Sequence, residues 1–315
     1  MLKTPFTCSN NFGLNLNCFF LFLCPMFKQV FTALLIILSV SVGAQERPAA
    51  YAVDENFNLW NKKTNDTACV FADIAYIRNY PGLKGIILDS LTAGTRVVIK
   101  SEAYNTTLIK DFHAPWHKVE YITGKQKRSG FIWLGLLALG TNNDKEGKLW
   151  MYGFNKYLNR SNDEEHLSLC EIKILDPSRQ TIGQTSILVT KGEQTFTEGK
   201  ILNNMGLAGL QAIYRIGFFG EACAVPTDHH YIGWTGVNFI SLPGKRNVSD
   251  AGVSYHEEKL LFPSEHRLDP SLIIKDIIDG EVIDPDQKEL KYKESKKRVK
   301  YIWDGKIASE IIEMK

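Results

Sequence analysis

The chain has 315 residues, 44% hydrophobic and 23% charged, a balance that excludes a disordered polymer and provides apolar material for two modest cores. Lys3 and Lys28 are the only charged residues before Glu46, so the formal net charge of +2 becomes 35 basic against 35 acidic side chains from Gln45 onward. Bulk charge leaves no footprint for nucleic acid, and none is expected as a partner.

Lys28 precedes VFTALLIILSVSV, and VGAQ follows, with Val42 and Ala44 meeting the small-residue rule for cleavage. A membrane-spanning helix needs roughly 20 apolar residues, so this run is sized as a signal segment, residues 1–44, cut after Ala44. No stable transmembrane anchor is expected after cleavage, and the expected location is periplasmic or secreted. The further apolar run CFFLFLCP is surplus to a signal peptide, which makes Met26 the expected start; the alternative is a signal anchor using both runs, although Lys28 and Gln29 interrupt them. Of the cysteines, Cys69, Cys170 and Cys223 remain after cleavage. A Cys170–Cys223 disulfide suits an oxidising compartment, and three small buried hydrophobes are the other reading.

Residues 45–67 are polar and irregular and read as a linker. Period-two patterns then begin: CVFADIAYIR, TRVVIKSE, WHKVEYIT and SGFIWLG are strand candidates, each bounded by Gly, Pro, Asn or Asp. Short strands at this density with no helical period call for a small barrel.

The same residues carry a resemblance. Ile77-Arg78 and Pro81-Gly82, then Gly94-Thr95-Arg96-Val97-Val98-Ile99, then Trp116, Lys118, Val119 and Tyr121, and finally Gly130-Phe131-Ile132 fall in the order of the bacterial SH3-like (SH3b) domain, which residues 68–140 resemble. The chain departs from that pattern in the longer segment AYNTTLIKDFHA and in carrying Phe131 after the final glycine, with Trp133 two positions on. The resemblance implies an SH3-like barrel with a ligand groove of aromatics, Tyr76, Tyr80, Trp116 and Trp133 by position, each of which has core packing as its alternative. It also implies a module that holds cell-wall peptides or a partner protein.

After the polar stretch TNNDKEGK, read as a linker, residues 148–315 are again strand-like. Tyr231-Ile232-Gly233-Trp234-Thr235-Gly236 and Tyr301-Ile302-Trp303-Asp304-Gly305 share one pattern, a strand, a tight glycine turn with a tryptophan at its base, and a returning strand. Such hairpins recur in propellers and sandwiches, and the region is too short for most closed propeller rings. GLAGLQAIYRIG is the one helical candidate, weakened by Gly206 and Gly209. KYKESKKRVK reads as an exposed edge strand guarded by lysines.

Evidence for catalysis is sparse. GEACAVPTDHHY places Cys223 near His229 and His230, a Cys–His pair of the kind cell-wall cysteine peptidases use, but the strand-like setting of Cys223 favours a structural thiol. Asp228, His229, His230, His256, Glu257 and Glu258 are metal-ligand types, yet neighbours on a strand face opposite ways, and no metal is expected. Asp279, Asp284 and Asp286 lack calcium-loop spacing. There is no phosphate loop and no nucleophile elbow, and no cofactor is expected. The expectation is an all-β exported protein, an SH3-like barrel followed by a β-rich domain of sandwich-like or partial propeller-like hairpins. Its expected role is non-catalytic binding of peptidoglycan or an envelope protein, with a Cys223-dependent cell-wall hydrolase as the rival.

Overall fold

The computed structural model describes residues 59–158, 167–190, 194–287 and 289–312. The expected signal segment and most of the 45–67 linker lie outside them. The described chain is all-β, as expected, with antiparallel sheets and a single short α-helix.

The first sheet holds β1 (Thr67–Cys69), β2 (Ile74–Arg78), β3 (Ile87–Thr92), β4 (Arg96–Ile99), β5 (Tyr104–Ile109), β6 (Phe112–Thr123) and β7 (Gln126–Trp133). Its order is β1-β4-β6-β7-β2-β3, with β5 pairing β6. Alternation sets the faces: Ala75 and Ile77 of β2 and Val97 and Ile99 of β4 point inward, while Ile74 and Tyr76 point out. AYNTTLIKDFHA, the long segment, is largely the β5–β6 hairpin. Its turn is Lys110-Asp111, both at positive φ (54° and 60°), the twist a two-residue hairpin demands. Inside the sheet the Tyr121 hydroxyl donates to Asp89 Oδ2 at 3.1 Å, tying β6 to β3 although two strands lie between them. Burial, followed by that bond, pushes the phenol up to about 12.

Where the sequence suggested a linker after residue 140, the structure has a hairpin. β8 (Gly140–Asn143) pairs β9 (Leu149–Leu158), and Asp144 Oδ1 accepts from the amides of Glu146 and Lys148 to close the turn. With β10 (Leu167–Leu175) and β11 (Thr181–Thr190) they form a four-stranded sheet, β11-β10-β9-β8.

The third sheet is an eight-stranded meander in sequence order: β12 (Phe196–Leu202), β13 (Ala212–Phe219), β14 (Thr227–Trp234), β15 (Phe239–Asp250), β16 (Ser254–Leu261), β17 (Leu272–Val282), β18 (Tyr292–Trp303) and β19 (Ala308–Glu310). α1 (Pro263–His266) interrupts β16 and β17. The paired tryptophan motifs are both hairpin turns: Gly236 (φ 99°) follows Trp234 and Gly305 (φ 92°) follows Trp303. The helix weighed for residues 206–217 does not form. Gly206 and Gly209 sit at φ 88° and 83°, outside helical space, and β13 starts three residues later. β19 pairs only the end of β18, so among the described residues no strand covers the outer edge of its lysine-rich part.

One core cluster runs through all three sheets, joining Ile77, Trp116 and Trp133 to Trp150, Ile172 and Trp234. β10 is therefore buried on both faces, Cys170, Ile172 and Ile174 on one and Glu171 and Lys173 on the other. Gly153, opposite Glu171, makes room: a Cβ there would lie 2.8 Å from the Phe71 ring.

Candidate functional site

The strongest candidate is the outer face of β2 and β3 with the loop between them. β3 ends its sheet, so its outer edge carries no strand among the described residues. Beside that edge Ile74, Tyr76 (47% exposed) and Leu88 face solvent, and the loop adds Tyr80 (44%), Leu83 (54%) and Ile86 (70%). Large apolar side chains exposed at this density cost solvation unless something covers them.

The loop is held in shape. Arg78 Nη1 donates to the carbonyls of Gly85 at 2.6 Å and Leu83 at 3.1 Å. Asn79 closes the base: its amide donates to Ile86 O at 3.0 Å and its Oδ1 accepts from the Ile86 amide at 2.8 Å. Pro81 is buried and its carbonyl accepts from Asn105 Nδ2. The apolar side chains are thus carried on a loop whose backbone is already ordered, which lowers the entropy cost of binding.

The four expected groove aromatics split into two pairs. Tyr76 and Tyr80 belong to this face, whereas Trp116 and Trp133 are 2% and 3% exposed and do not. The reason is the β5 hairpin, which covers the surface they would have lined. Trp116 Nε1 donates to Thr107 Oγ1 at 2.8 Å and Trp133 Nε1 to Ala114 O at 2.9 Å. Ile74, Leu83, Ile86 and Leu88 escaped notice in the sequence. Their signal was two aliphatic residues, Leu83 and Ile86, among the Pro and Gly of a loop where polar residues are the rule.

The Cys–His constellation is not assembled. Cys223 is exposed in the β13–β14 loop, and no hydrogen bond joins it to a histidine among the described residues. His229 packs on Phe219 and His230 on Phe218, on opposite faces of β14. Burial, then the charges of Lys245 and Arg215, hold the His229 imidazole down at about 4, so it is neutral near pH 7. The Cys170–Cys223 disulfide is absent, since both thiols are free and one is fully buried while the other is exposed.

Three of the six residues of metal-ligand type are engaged with neighbours. Asp228 pairs with Arg246 at 2.8 Å, His256 with Asp279 at 2.6 Å, and Glu258 with Lys275 at 3.0 Å. Asp284 accepts from the Asp286 amide and the Gln287 side chain, a local turn in place of a calcium loop. No group of three ligand types is poised for a metal among the described residues.

No protein-family model matches the chain, and no curated protein does. Among solved structures, the crystal structure of a thermostable family-43 glycoside hydrolase is similar at 12% identity and a TM-score of 0.24, over 79% of this chain and 95% of that one. A likeness of that degree leaves the reading of this chain to its own residues.

Proposed function

We propose that this chain is an exported, non-catalytic binding protein of the cell envelope whose residues 68–140 form a bacterial SH3-like module. Its ligand lies along the outer face of β2, β3 and their loop. The single observation that carries the reading is the Arg78-braced loop, which presents Tyr80, Leu83 and Ile86 beside the free edge of β3. Aliphatic contacts together with unpaired backbone groups suit an extended protein segment that adds to the sheet edge. Peptidoglycan is the other expected ligand, and it would draw on Tyr76 and Tyr80.

Pelleting of the full-length protein with isolated peptidoglycan, beside pull-down from solubilised envelope proteins, separates the two ligands. A Leu83→Ser/Ile86→Ser variant that keeps the parent's melting temperature loses binding on this reading. Undiminished binding by that folded variant in both assays overturns it.

A further inference from the structure

A cavity of about 420 Å³ opens where the β1–β2 loop and the β5–β6 turn meet β9, β10 and β11, sharing Ile74 with the face just described. That volume is in the range of small-molecule sites. Its apolar wall is aromatic: Phe112 and Phe154, with ring centroids 6.1 Å apart, and Trp133, which packs edge-on to Phe112 at 6.0 Å.

Its polar wall is unevenly satisfied. Lys173, 3% exposed at its side chain, is fully engaged: its ammonium donates to Asp73 Oδ1 at 2.7 Å and to Phe71 O at 3.3 Å, and lies 4.8 Å from the centre of the Phe71 ring. Glu171 is not. One carboxylate oxygen accepts from Gln184 Nε2, while the other lies 3.7 Å from the Lys173 nitrogen, beyond hydrogen-bond reach. That second oxygen has no hydrogen bond among the described residues, although Glu171 is only 9% exposed and lines the cavity. Glu171 lines the cavity, so a donor placed there meets that oxygen as an acceptor.

Charge points the same way. Lys173 faces two acids, Asp73 and Glu171, so this group carries one net negative charge. The exposed Lys110 and Lys156 add two positive charges to the lining, and neither forms an ion pair among the described residues. Lys110 Nζ donates one hydrogen bond, to Asn155 Oδ1 at 3.3 Å. The buried Glu171 and Lys173 thus balance each other, the exposed Asp73 adds one negative charge and the exposed Lys110 and Lys156 two positive ones, and one side of the cavity is aromatic.

We propose that this cavity binds a zwitterionic small molecule, a free amino acid or short peptide, with its ammonium group at Glu171 and Asp73 and its carboxylate at Lys110 and Lys156. The aromatic wall takes the apolar side chain and adds cation–π attraction for the ammonium.

Titration calorimetry of the full-length protein with alanyl-leucine, its N-acetyl form and its C-terminal amide tests this. The free dipeptide binds, and each blocked form binds at least about tenfold more weakly, the loss of one charge-assisted contact. Glu171→Gln reproduces the acetylation loss, Lys110→Met/Lys156→Met the amidation loss, and Leu83→Ser changes neither, which separates this site from the β2–β3 face. Should Glu171→Gln fail to fold, the blocked dipeptides on the parent protein decide alone. Absence of heat with the free dipeptide at about 10 mM, where even millimolar binders register, or equal affinity for free and blocked forms, overturns the proposal.

Discussion

The guanidinium of Arg78 and the carbonyl of Gly85, seven residues apart, are joined at 2.6 Å, and Leu83 O shares the same donor nitrogen. A planar guanidinium at the end of β2 thereby holds an eight-residue loop that has little regular structure of its own.

Arg78→Lys loosens that loop, because a point-like ammonium cannot reproduce the geometry of the fork. The expected cost is about 1.5–3 kcal/mol of stability, the range for charge-assisted hydrogen bonds. The same variant exchanges the Ile86 amide faster while the amides of β6 keep their protection. Unchanged exchange at Ile86 contradicts the bracing role.

Lys173→Met removes the counter-charge of a buried carboxylate and is expected to destabilise by about 3 kcal/mol in urea unfolding. Asp73→Asn, whose side chain is 75% exposed, is expected to cost under about 1 kcal/mol. Equal effects of the two substitutions would mean that the ion pair, and not the burial of Glu171, sets the energy.

Acid sensitivity follows from the histidines. His229 titrates at about 4 in the folded chain, and burial also lowers His117 and His230, against an unfolded value near 6.5. Between those values the unfolded chain binds more protons, so stability is full above the unfolded value and falls as pH drops through the window. His229→Phe flattens the melting temperature between pH 6.5 and 4 on this account. An unaltered slope assigns the effect to other groups.

Thiol chemistry distinguishes the cysteines. Burial pushes Cys69 up to about 11 and raises Cys170 further, while Cys223 is exposed. Native alkylation followed by peptide mapping is expected to modify Cys223 and spare the other two. A non-reducing map with a Cys170–Cys223 crosslink contradicts the arrangement.

The all-β class and the two tryptophan turns were legible because period-two patterning and Gly after Trp act locally. Trp116 and Trp133 take the core alternative for a non-local reason: whether a ring lines a groove or a core depends on β5, a strand whose polar sequence has little apolar alternation. Glu171 and Lys173 left no separate trace, because a charged pair on a strand reads as a solvent face until a second sheet covers it. Cys223 and the two histidines of residues 220–230 are close in sequence, but strand alternation sends His229 and His230 apart.

Site-specific photo-crosslinking tests the binding reading most directly. A benzophenone side chain at Leu83 or Tyr80, with exposed Val253 in the β15–β16 turn as control, is irradiated in intact cells. The account predicts one discrete crosslinked species from Leu83 and Tyr80, none from Val253, and its loss on adding Ile86→Ser. Crosslinks of equal yield from all three positions, or release of peptidoglycan fragments that stops in Cys223→Ser, would contradict it.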